Sequence, residues 1–366
     1  MTQTNTIYLS NSMDKLAHKF NENRFEEYKT KNIFAPVTVL RSNNLINLWL
    51  DNYIVKRNNI SANIEYKFLE NYILQKINMN KIKILSSLFY TNLITKVILD
   101  ECSETAIIKE YIKSDSDKIR YKKAFQLAEK ISSIFYKYYN NRYEEIILKW
   151  KNNENPDSGN KLYTEIYEWQ KKVFKLTQNK INEISIKTGI THLIFPEFLH
   201  QYITANENNK KELVNDFDES VHMFSTSLLS PLYLNFLNKI DSVHLYIFSP
   251  VGNQENSDLM YNWNKPVNDI ISLINELGNW KFEELFVSDT HKQTPMNYLK
   301  KVICTNKQNL NNKEKQNTDA FTVINAKTKK RQIQSIADII IDTLINNKDL
   351  LLSDFAIFIN DVQAYY

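Results

Sequence analysis

The chain has 366 residues, of which 43% are apolar and 24% charged. That is enough for two or three domains with ample core, and too apolar for wholesale disorder. It holds only four glycines, no two of them spaced as GxGxxG or GxxxxGK, so no glycine-rich loop is available to wrap the phosphates of a nucleotide. The formal charge of +4, with a pI near 8.6, leans towards an anionic partner, but the abundance of Lys, Asn and Ile reads equally as a compositional bias that leaves a solvated basic surface.

In chain order, Thr6 to Ser10 (TIYLS) reads as a strand, and Asn11 and Ser12 can cap the helix that follows. Phe34-Ala35-Pro36 turns the chain into the strand VTVL, from Val37. After the turn Arg41-Ser42-Asn43-Asn44 a helix begins, with Leu45, Leu48 and Trp49 expected on one face. A strand, a tight turn and a helix is where a phosphate loop sits, but this turn has no glycine and no lysine. ISANIEYKFLENYILQKI starts extended and becomes helical. The β-α-β-α alternation predicts a parallel sheet with helices packed on it.

From about residue 80 to 200 strand signals fade. In KIRYKKAFQLAEKISSIFYKYYNNRYEEIILKW, Phe125, Leu127, Ala128, Ile131, Ile134 and Phe135 mark one helical face. Asn152 to Lys161 reads as a turn or loop and KLYTEIYEWQKKVFKLTQNKINEIS as another helix, so this block is expected to be a helical insertion. The β/α pattern then returns: Val221 to Ser225 as a strand, a helix turning Leu232, Phe236, Leu237 and Ile240 inward, and Val243 to Pro250 as a strand covered on both faces. Thr305 to Asp319 is polar and aperiodic, a linker. A last β-α-β unit is expected from FTVIN, the helix KRQIQSIADIIIDTLIN and FAIFIND.

Several of these stretches resemble, in order and spacing, the N-terminal region of RecC, the gamma subunit of exodeoxyribonuclease V (the RecBCD complex). TIYLSNSMDKL is similar to that family's VYHSN-x-LD-x-L opening at Tyr8, Ser10, Asn11, Asp14 and Leu16. FAPVTVLRSNNLINLWL matches its next strand and helix at Phe34, Pro36, Trp49 and Leu50, and ISANIEY its I-A-A-N-I-[DE]-F stretch at Ile60, Ala62, Asn63, Ile64 and Glu65. Farther on, Ser227, Leu229, Pro231, Tyr233 and Leu234 match GIS-x-LPP-x-YL, with His244 and Pro250 kept in the following strand. Arg331, Ile333, Asp338, Asp354, Asp361 and Tyr365 match two late patterns. Ser225, Thr226 and Ser230 depart from the family's Gly, Ile and first Pro, and Ser133 and Tyr136 stand at acidic positions.

The resemblance implies an α/β, superfamily 1 helicase-like fold: a P-loop NTPase-like shell without the P-loop. It assigns residues 1–80 and 200–304 to a discontinuous 1A domain, 81–199 to a helical 1B insertion, 305–319 to a linker and 320–366 to the start of a 2A domain, the chain being an N-terminal fragment of a longer protein. It implies a non-catalytic subunit that guides single-stranded DNA from duplex ends during recombinational repair, and in some members reads the Chi sequence. The partners are RecB and RecD, with ATP and Mg²⁺ used by those subunits and no cofactor in this chain. DNA contacts are implied at Ser42, Asn43 and Asn44, in the turn where a phosphate loop once sat, and at Arg142, where the family has a channel arginine.

From the residues alone, Arg142 follows the run IFYKYYNNRY, which can grip phosphate and stack bases, or can be a core face ending in a solvated arginine. Lys327, Lys329, Lys330 and Arg331 begin a helix, where the dipole disfavours cations, so they read either as a phosphate site or as plain surface. The six histidines lack ligand spacing, and His222 and His244 read as satisfied strand residues. No nucleophile elbow or Cys-His arrangement is visible. The cysteines Cys102 and Cys304 form no CxxC pair, which favours a reduced compartment. No leader pattern opens the chain and no run nears the roughly 18 apolar residues of a membrane span, so a cytoplasmic protein is expected. An independent α/β enzyme and a pure protein-interaction scaffold are the alternatives.

Overall fold

The computed structural model describes residues 5–30, 34–103, 105–156, 161–215, 217, 220–225, 229–240, 242–250, 258–287, 322–359 and 361–365. It divides into two compact units, Met1–Ser288 and Asp289–Tyr366. The expected linker, Thr305 to Asp319, lies outside the described residues.

The first unit is built on a six-stranded parallel sheet. Its opening elements are β1 (Asn5–Ser10), α1 (Met13–Thr30), β2 (Val37–Arg41), α2 (Leu45–Asn58), β3 (Ile64–Phe68) and α3 (Leu69–Lys76). After a helical block the chain adds α9 (Phe195–Thr204), α10 (Glu207–Leu213), β6 (Val221–Ser225), α11 (Pro231–Leu237), β7 (Val243–Phe248), α12 (Asp258–Leu277) and β8 (Trp280–Glu284). The strand order is β3-β2-β6-β7-β1-β8, and every pairing is parallel.

The two-residue period of a strand explains how both faces are covered. Ile7 and Leu9 of β1, Leu40 of β2, Met223 of β6 and Leu245 and Ile247 of β7 pack into one core with α3, α9, α11 and α12. Their neighbours Tyr8, Val39, Phe224 and Tyr246 enter a second core with Leu16, Ala17 and Phe20 of α1 and Ile46, Leu50 and Ile54 of α2. Burying one such side chain contributes about 1.5–3 kcal/mol. At the end of α12, Gly278 takes φ +75°, a left-handed helix stop that suits glycine.

The block between the sheet halves starts and returns through two short parallel strands, β4 (Ile82–Ile84) and β5 (Thr191–Leu193). Between them run α4 (Ser87–Asp100), α5 (Ala106–Ile112), α6 (Asp117–Asn141), a π turn (Tyr143–Leu148), α7 (Lys149–Lys151) and α8 (Lys161–Thr188). The block has a core of its own, with Phe135, Tyr139, Trp150 and Phe174 at its centre. Ser86 caps α4 by accepting the Phe89 N–H at 3.2 Å.

Two expectations need correction. The inward face of α2 is Ile46, Leu50 and Ile54, not the face led by Leu45 and Leu48, which are 74% and 63% exposed; Trp49 packs only in part against the core. An i, i+4, i+8 stripe one position along wins because α2 is apolar on several sides. In the second unit, the helix α13 (Lys329–Asn346) forms as expected, but residues 322–325 and 355–359 carry no strand. A parallel βαβ pair needs flanking strands to bond its edges, and no residue of α13 is fully buried among the described residues.

Candidate nucleic-acid interface

In open parallel sheets ligands bind outside the carboxyl ends of the strands, where helices begin. Two such corners matter here. At the first, after β1, Ser10 Oγ donates to the Leu285 carbonyl at 2.8 Å and accepts the Ser12 N–H at 3.1 Å. Asn11 grips the Val287 backbone with both ends of its amide, donating to the carbonyl at 3.0 Å and accepting the N–H at 2.9 Å. The segment that follows β8 is thus laid across this corner by the two polar residues of the opening motif.

At the second corner, after β2, Asn43 Oδ1 accepts the N–H groups of Leu45 at 3.0 Å and Ile46 at 3.2 Å. These are orphan donors at the start of α2 that an anion would otherwise take. Asn43 and Asn44 are exposed and Ser42 is half-buried. Arg41, which sequence reasoning passed over, lays its guanidinium on the Phe68 ring, 4.6 Å from the centroid. Its buried Nε has no hydrogen-bond partner. The signal was available: Arg41 and Phe68 end two neighbouring strands in register.

Arg142 ends α6, where a cation complements the helix dipole. Its Nε and a terminal nitrogen both donate to Glu145 Oε2 at 2.8 Å. That charge-assisted bond raises its pKa further above the ordinary arginine value. Phe135 and Tyr139 just before it are fully buried, so they are core and not a stacking platform. Lys327, Lys329, Lys330 and Arg331 are all exposed. Thr328 caps their helix by accepting the Arg331 N–H at 3.2 Å, and Lys329 sits 5.5 Å from the centre of the Tyr365 ring. These four belong to the second compact unit, whereas Ser42, Asn43, Asn44 and Arg142 belong to the first.

A partly buried polar joint was also missed. Lys151 Nζ lies 2.5 Å from Glu197 Oε1 and 3.1 Å from the Tyr143 hydroxyl. Burial lowers the pKa of Lys151, but Glu197 and Tyr143 together outweigh it and the net shift is upward. His200 stacks on Tyr143, ring centres 3.5 Å apart, and its Nε2 meets the Tyr139 carbonyl at 2.9 Å. Burial lowers its pKa. The joint links the π turn and α7 to α9, residues too far apart in sequence to be paired by spacing.

His222 is fully buried. Its Nε2 is 2.8 Å from Glu27 and its Nδ1 3.0 Å from the Tyr246 hydroxyl, a satisfied strand residue. Among the described residues no three His, Cys, Asp or Glu side chains gather as a metal site, and no helix is long and apolar enough to cross a membrane.

The sheet, its interrupting helical block and the closed corners define an α/β protein of parallel-sheet architecture. The family described as "RecC, N-terminal domain" matches residues 6–270, and the chain belongs to that family. Membership implies a RecC-type subunit of the RecBCD complex, together with RecB and RecD, and accords with a role in DNA repair and recombination within exodeoxyribonuclease V. No curated protein matches the chain.

Proposed function

We propose that the chain is a catalytically silent, helicase-like scaffold that guides single-stranded DNA within a RecBCD-type machine, with ATP and Mg²⁺ handled by its partner subunits. The observation that carries this reading is the closed start of α2: Asn43 already bonds the N–H groups that a nucleotide phosphate would need. Family membership supports the DNA role. Exposed Arg142 and the cluster Lys327, Lys329, Lys330 and Arg331 supply cations for phosphates. The half-buried Ser42 and the exposed Asn43 and Asn44 offer hydrogen-bonding groups beside Arg41, suited to positioning a strand or to reading a sequence such as Chi.

Calorimetric titration with Mg-ATP tests the silent motor, and no heat of binding is expected. Tight, Mg²⁺-dependent binding would restore a motor enzyme. A second reading, docking of this corner against a partner subunit, is favoured by Leu45 and Leu48, large apolar side chains left exposed beside the turn. Alanine at both would then weaken subunit association and leave DNA affinity unchanged.

A further inference from the structure

Between α4 and α6 the helical block holds a groove of about 580 Å³, open to solvent along one side. Thr91 and Ser132 line it and are only 4% and 3% exposed. Buried hydroxyls are normally hydrogen-bonded, often in a helix to the carbonyl one turn back, as Thr95 bonds Thr91 and Thr177 bonds Val173. Thr91 enters only through its own carbonyl. Among the described residues no side-chain hydrogen bond is made by Thr91, Ser132 or the exposed Ser133, and all three line the open groove.

The remaining walls narrow the chemistry of an occupant. Phe125 and Tyr136 are aromatic and partly exposed. Glu129 contributes a carboxylate, and no lysine or arginine lines the groove. Negative charge, unused acceptor oxygens and aromatic faces together suit a planar, weakly hydrated cation with several donors. An ammonium is also drawn to aromatic faces, but only a planar guanidinium stacks on them while its fork reaches several oxygens, and an anion would meet Glu129.

We propose that this groove binds a guanidinium group, carried by a free small cation or by an arginine side chain of another protein. The site is independent of the DNA role, and its test contains no DNA. Calorimetry of the full chain with arginine amide should give a saturable heat that citrulline amide, the neutral isostere, does not. Glu129→Gln, at an exposed position, should weaken arginine amide by about tenfold through loss of a charge-assisted bond. Thr91→Val should weaken it several-fold, about the value of one neutral hydrogen bond. An acetyl-Gly-Arg-Gly-amide peptide that binds more tightly than arginine amide assigns the group to a protein partner; equal or weaker binding assigns it to a small cation. Equal heats for the two amides, no heat with arginine amide, or an affinity unchanged in both variants overturns the proposal.

Discussion

Val37–Arg41 and Thr322–Asn325 have the same kind of sequence, short, β-branched and followed by a helix, yet only the first is a strand. β2 lies between β3 and β6 and bonds on both edges. Thr322–Asn325 has no such neighbours among the described residues, and Val323 is 95% exposed. Residues 355–359 repeat the lesson, with Phe358 also 95% exposed. Strand propensity is a preference for a half-buried pleated surface, and it is realised only where neighbours supply that surface.

This contrast can be broken most sharply by truncation in the core. Leu245→Ala in β7, fully buried, should cost about 2–5 kcal/mol, read as a lower urea midpoint. Phe358→Ala, at a fully solvated position, should leave that midpoint within about 0.5 kcal/mol. A comparable loss for both would mean that residues 355–359 have a packed partner.

Within the first unit the Lys151–Glu197 joint is next. Lys151→Met leaves the buried Glu197 without its half-exposed cation, and a loss of about 1–3 kcal/mol is expected in the same denaturation experiment. Replacing both residues by apolar ones of similar size should recover much of it, which separates the unpaired charge from lost packing.

A smaller change sharpens the comparison of the two corners. Asn43→Ala removes the cap of α2 and should cost about 1 kcal/mol. Asn43→Gly should cost only a few tenths, while freeing the N–H groups of Leu45 and Ile46. If the cap is what closes this corner, the glycine variant should take up sulfate, seen as anion-dependent thermal stabilisation that the parent lacks.

The smallest effect concerns pH. His200 is held neutral by burial, its folded pKa lying below the ordinary 6.5. The unfolded chain therefore binds a proton first as pH falls through 6.5, so this contribution is present above 6.5 and is lost progressively below it, until the folded pKa is reached. His200→Gln should flatten the fall of thermal midpoint between neutral and mildly acidic pH.

Much of the sheet was legible because its strands and helices keep clean periods. Ile7 and Leu9 against Tyr8, or Leu245 and Ile247 against Tyr246, alternate as a doubly covered strand requires. The inward stripe of α2 was not legible, since Leu45, Ile46, Leu48, Trp49 and Leu50 leave more than one apolar face to choose from. β4 and β5, three residues each, are too short to show a period. The corners at the strand ends were legible only as positions. That Asn43 stoppers a helix, or that Asn11 clamps Val287, depends on side-chain geometry and on contacts 276 residues apart. The groove lined by Thr91 and Ser132 was hidden for the same reason, two ordinary hydroxyls on different helices.

The account rests on a strand being carried by charge and not by fuel. Its most direct test is the affinity of the full chain for a single-stranded oligonucleotide as salt is raised, with the variant lacking Lys327, Lys329, Lys330 and Arg331 beside the parent. The account predicts that log affinity falls linearly with log salt, with a slope near 0.7 per phosphate neutralised. The variant should show a shallower slope, and Mg-ATP should have no effect on either line. Undetectable binding at low salt, or an affinity that responds to Mg-ATP, would contradict it.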